Sequence, residues 1–202
     1  MKFKLSHTEI EISYLLICLI ALSLILGVFR DTLCALFAIV IRESGHLLTM
    51  KVFGYFPKRI KIAPFEIVIT DDKRRERGTL RNLLIIFFGP AANFVCFILI
   101  YLLYLLGAEK LLPFAAANLS VGIFNLLPVM SLDGGQLMYL LLCRNHSPER
   151  SSQLVYRATF LTLLPVAVLG FLILFHSHYN FSLLFVSGYL IFALIVRQEK
   201  YD

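Results

Sequence analysis

Apolar runs long enough to cross a bilayer recur along the whole chain, near residues 12–29, 32–50, 80–106, 111–143, 151–175 and 181–197. A hydrocarbon core about 30 Å thick needs about 20 apolar residues in helical form. Within it every backbone N–H and C=O must find a partner inside the protein, which leaves few alternatives to helices. The pattern predicts an all-α polytopic membrane protein with about six transmembrane helices. Composition agrees, with 59% of the 202 residues hydrophobic and 16% charged, against about 45–50% and about 25% in soluble domains. The length fits one transmembrane domain over residues 1–202. The first run follows MKFKLSHTEIE and has no small-residue cleavage site; a second span comes almost at once, so the run reads as an anchor. Cys18, Cys34, Cys96 and Cys143 lie in or beside apolar runs without C-x-x-C spacing, as small buried hydrophobes do.

The positions of the cations set the topology. With six spans, both termini share a side with the 51–79 loop and the 144–150 turn. That side gathers nearly all the Lys and Arg residues, among them Lys51, Lys58, Arg59, Lys61, Arg74 and Arg75, while the other keeps only Arg30 and Lys110. The basic side is the cytoplasmic one, which predicts a multi-pass protein of the cell membrane with both termini cytoplasmic. The net charge of +6 is then a consequence of topology and argues against a nucleic-acid partner. The basic stretch DDKRRERGTLR either touches anionic membrane lipids or is simply solvated.

Between the second and third spans, KRIKIAPFEIVITDD alternates apolar and other residues on both sides of Pro64, predicting a short β-hairpin. Its edge offers strand addition to an extended peptide, or serves as a flap without a ligand. The fourth span is irregular: Asn118, Asn125, Pro128, Ser131, Asp133, Gly134 and Gly135 all fall within lipid depth. A proline followed by Asp-Gly-Gly interrupts a helix near Asp133. A carboxylate at that depth is a functional-site candidate by default.

Three elements of this kind occur in order: R-E-S-G-H at 42–46, G-P-A-A-N at 89–93 and N-L-L-P-V-M-S-L-D-G-G at 125–135. Together they resemble the site-2 protease (M50) family of intramembrane zinc metalloproteases, especially its small bacterial members related to sporulation proteases. That family carries H-E-x-x-H, then G-P-x-x-N, then N-x-x-P…L-D-G-G. The resemblance covers roughly residues 32–143 and implies a hydrolase that cleaves membrane-embedded or juxtamembrane segments of transmembrane partner proteins. It implies one zinc ion held by His46 and Asp133, with Glu43 as catalytic base. It also implies substrate-positioning roles for Asn125 and for Asn93, the latter equally explained by a hydrogen bond between helices. Residues four apart share a helix face, so positions 42 and 46 aim at one ion. Zinc with three protein ligands leaves its fourth place to a water whose proton the glutamate takes.

The departure is Arg42, which stands where the family has its first histidine ligand. A guanidinium has no lone pair and stays protonated. His7, His146, His176 and His178 lie in terminal or loop segments and offer no obvious substitute. Arg42 with a protonated His46 supplies the two positive charges of a zinc ion, which predicts an ion pair from Arg42 to Asp133 or to Glu43. Buried charges at about 2.5–3.5 kcal/mol each strongly favour such pairing. The other outcome is an Arg42 that snorkels to the surface. Two functions follow, a working metalloendopeptidase with an unidentified third ligand, or a pseudoprotease that binds or shields membrane helices. A channel or carrier would leave the protease spacing unexplained.

Overall fold

The computed structural model describes residues 2–5, 8–12, 20–21, 23–25, 27–55, 59–62, 67–70 and 78–176. Half of the first predicted span, 12–29, and all of the last, 181–197, lie outside them. In chain order the elements are β1 (Lys2–Leu5), β2 (Thr8–Ile12), α1 (Phe29–Val52), β3 (Arg59–Ile62), β4 (Ile67–Thr70), α2 (Thr79–Leu105), α3 (Leu112–Asn125), α4 (Asp133–Leu142) and α5 (Pro148–His176). The chain is mostly helical and divides into two compact units, Met1–Phe124 and Asn125–Asp202.

In the first unit, α1 and α2 have 24 and 27 residues, about 36 and 40 Å of helix at 1.5 Å per residue. Both are long and apolar enough to cross a membrane. The count of six such helices is not reached among the described residues, where two qualify. Each of the two ends on a glycine in the left-handed region, Gly54 at φ 73° and Gly107 at φ 102°. At the first, Tyr55 N–H donates to Met50 O at 2.9 Å and Gly54 N–H to Lys51 O at 3.0 Å. This paired capping satisfies carbonyls that the end of a helix otherwise orphans. Ala108 to Leu103 and Gly107 to Tyr104 repeat it after α2, at 3.1 and 3.0 Å.

Strand pairing extends beyond a hairpin between the two long helices. β3 and β4 pair antiparallel, but β2 also pairs parallel with β3 and β1 antiparallel with β2, making a four-stranded sheet. The expectation of an otherwise all-α chain is corrected here. T-E-I-E-I at 8–12 has strand alternation, masked in the sequence because it runs straight into the apolar stretch after Ile12. The register sets Glu9 and Glu11 opposite Lys4 and Lys2 on one side and opposite Arg59 and Lys61 on the other. The turn around Pro64 lies outside the described residues.

α1 and α2 pack together through unusually close backbones. A Cβ on Gly45 would collide with the Phe88 carbonyl oxygen and come within 2.9 Å of the Ala92 Cβ. Small residues permit this approach, and in lipid, where apolar burial drives little, such packing is what holds helices together. The remaining faces carry exposed large apolar side chains, including Leu48, Val52, Phe87, Leu99 and Leu102. On a soluble protein that surface would be an aggregation liability; against acyl chains it is ordinary.

In the second unit, residues 126–132 form the interruption and α4 and α5 pack against each other. Thr159 of α5, fully buried, organises the interruption. Its Oγ1 accepts from Met130 N–H at 3.0 Å and donates to the Val155 carbonyl at 2.8 Å. Gly134 and Gly135 complete it, because a Cβ on either would overlap the backbone of Leu126 or Val129. Ser147 caps α5 through Arg150 N–H at 3.4 Å, with Pro148 in the first helical position. Thr159→Val removes the hydroxyl that accepts from the half-buried Met130 N–H and is expected to cost about 1–3 kcal/mol in detergent unfolding. Thr159→Ser should recover most of the loss.

Candidate functional site

α1 buries a narrow stripe of Ala38, Glu43, His46 and Met50. Its spacing follows the helical repeat, yet two of the four are ionisable, which no packing requirement explains. Glu43 is paired: Arg42 Nη1 donates to its Oε1 at 2.7 Å, and the two side chains are only 11% and 6% exposed. Neighbours in a helix project about 100° apart and do not naturally face each other. The contact therefore needs the long arginine side chain to curl round the helix toward the glutamate. Of the two ion pairs expected for Arg42, the one with Glu43 is present, and its burial excludes a side chain snorkelling into water. A charge-assisted contact at this distance is about twice as strong as a neutral one, and burial leaves little water to screen it.

His46 is held from α2. Its Nδ1–H donates to the Ile85 carbonyl at 2.8 Å, since only a protonated ring nitrogen can bond a carbonyl. The ring lies on Gly89, where an added Cβ would fall inside the imidazole at Nε2 and Cε1. Pro90 follows, with no N–H for the helical ladder. Backbone anchoring of one ring nitrogen fixes the orientation of the other, as it does in histidines that ligate metals. The Gly-Pro of α2 thus has a purpose beyond a kink: glycine makes room for an imidazole. One turn on, Asn93 is fully buried, and its Oδ1 and Nδ2 have no hydrogen-bond partner among the described residues. The helix-bridging bond considered for it is absent among the described residues.

In the second unit, Asp133 opens α4 as its first helical residue and is 3% exposed. A carboxylate there is favoured by the helix dipole and the free amides of the first turn. Asn125, the last residue of α3, is 9% exposed. The described residues bring Arg42, Glu43, His46 and Gly89 together on the α1–α2 pair. The resemblance alone assigns Asn125 and Asp133 to the same chemistry.

Among its described residues the first unit alone does not supply a three-ligand zinc site. Arg42 offers no lone pair, and among the described residues no three His, Cys, Asp or Glu groups assemble into one that could hold a metal. His46, anchored through Nδ1, has the disposition of a ligand; the position four residues before it does not.

The sequence pattern missed the Ile85 carbonyl, Gly45 and Thr159. A backbone acceptor carries no side-chain signature, and a lone Gly or Thr in an apolar helix reads as filler. Gly89→Ala should expel the His46 ring from its seat. The expected result is a loss of about 1–3 kcal/mol in unfolding free energy and a displaced imidazole signal in NMR of histidine-labelled protein. An unmoved signal would refute the seating.

Comparison with known proteins follows the same lines. The Peptidase family M50 profile matches residues 106–166. Stage IV sporulation protein FB of Bacillus subtilis is 27% identical over 140 residues, covering 66% of this chain and 48% of that protein. A zinc metalloprotease of Methanocaldococcus jannaschii is 26% identical over 157 residues, covering 72% of this chain and 45% of its own length. The chain thus spans about half the length of the curated relatives it matches. The solved structure of a site-2 protease from Methanocaldococcus jannaschii has the same fold, with a TM-score of 0.69 and 24% identity over 96% of this chain and 93% of that one. In its motifs, its profile match and its fold the chain is similar to the site-2 proteases of peptidase family M50.

Proposed function

We propose that this protein works in the cell membrane as a site-2-protease scaffold that receives membrane-embedded or juxtamembrane segments of transmembrane partner proteins. It is multi-pass, with both termini cytoplasmic. The family's own activity is that of an intramembrane zinc metalloendopeptidase. In that role His46 and Asp133 would be ligands, Glu43 the base, and Asn125 and Asn93 groups that steady the substrate. The partnerless amide of Asn93 supports the last assignment: a buried polar group without a bond costs about 1–3 kcal/mol, offset when a client's backbone engages it.

The observation that carries the proposal is the 2.7 Å contact between Arg42 and Glu43. The carboxylate that would take a proton from water is engaged by a cation, and that cation stands where a zinc ligand belongs. This favours a protein that binds or shields membrane segments without hydrolysing them. The working peptidase is the second reading, supported by the resemblance to zinc metalloproteases, and needs a third ligand from elsewhere. Metal analysis of the purified chain separates the two. Well below one zinc per chain is expected, rising toward one in Arg42→His together with cleavage of a transmembrane-segment substrate. Stoichiometric zinc in the unaltered protein would contradict the non-hydrolytic reading.

A further inference from the structure

A slot at the opposite end of α1 from its C-terminal cap takes no part in this chemistry. Phe29, Leu33 and Phe37 line one side of it and Leu111 and Phe114 the other, enclosing about 520 Å³, a volume typical of small-molecule sites. Phe37 and Phe114 meet edge to face with ring centroids 6.5 Å apart. The α1 residues recur at three- and four-residue steps, so they form one helix face. Both charged residues that line the slot, Arg30 and Lys110, are cations; their neighbours Asp31 and Glu109 do not line it. Arg30 donates through Nη2 to the Lys110 carbonyl at 2.9 Å, which fixes the guanidinium beside the lysine. Its other N–H groups meet no acceptor among the described residues.

The depth of these groups identifies an occupant. Arg30 is the second residue of a membrane-length helix, at the level of lipid headgroups. Phe37 lies about 10 Å further along the helix, among acyl chains. Apolar walls below two cations match a lipid phosphate with its chain beneath it. The exposed cations also bring little desolvation cost to an anion. We propose that this slot holds one anionic phospholipid, its acyl chain against Phe29, Leu33 and Phe114 and its phosphate against Arg30 and Lys110. The site rests on α1 crossing the bilayer and is independent of the chemistry at Arg42, so either proposal can fail alone.

The test is native mass spectrometry of the full chain from micelles doped equally with phosphatidylglycerol and phosphatidylcholine. A single retained phosphatidylglycerol is expected, bound about thirtyfold more weakly by the Arg30→Gln, Lys110→Gln double variant. Leu33→Trp, which fills the slot and keeps both cations, should also displace the lipid. Inorganic phosphate and neutral diacylglycerol should each fail to compete. Equal retention of the two lipids, undiminished binding in both variants, or displacement by inorganic phosphate alone would overturn the assignment.

Discussion

A buried guanidinium against a buried carboxylate is the interaction on which the rest of this structure turns. Neither Arg42 nor Glu43 would be tolerated singly at lipid depth, because an unpaired charge there costs several kcal/mol. Paired at 2.7 Å, they neutralise each other without any metal. That local neutrality lets α1 carry ionisable groups through an apolar helix pair. It also bears on the proposed function, because a carboxylate already holding a cation is poorly placed to accept a proton from water.

Beside the pair α1 and α2 make a close helix contact, and that contact depends on missing side chains. Gly45 admits the Phe88 carbonyl and Gly89 admits the His46 ring, so α1 and α2 approach more nearly than Leu or Val would allow. The imidazole then reaches the Ile85 carbonyl. In the second unit the same device recurs, where Gly134 and Gly135 let the start of α4 lie on the backbone of residues 126–130. In each case the glycine next to a functional position is explained by what occupies the space of its absent Cβ.

Much of this was legible before any coordinates. The long apolar runs located α1 and α2, and Pro128 with Asp-Gly-Gly located the break that separates α3 from α4. The three motifs pointed to the family, and charge reasoning anticipated a partner for Arg42. The limits were physical as well. Strand β2 was hidden because alternation over five residues runs into an apolar stretch, and the parallel β2–β3 pairing is non-local. The seat of His46 was hidden because a carbonyl oxygen and an empty Cβ position have no letter in the sequence. Thr159 bonds its own helix, as a threonine in any helix can; its second bond, to the interruption, depends on tertiary structure and has no sequence signature.

The most direct measurement of the central claim is a double-mutant cycle on residues 42 and 43, read by unfolding in detergent micelles. Arg42→Gln and Glu43→Gln should each destabilise the protein by about 3 kcal/mol by stranding the other charge. The double variant should lose far less than the sum, giving a coupling of a few kcal/mol. Additivity of the two changes within about 0.5 kcal/mol would mean that the two groups do not depend on each other, and the account of a self-neutralised ion pair would be wrong.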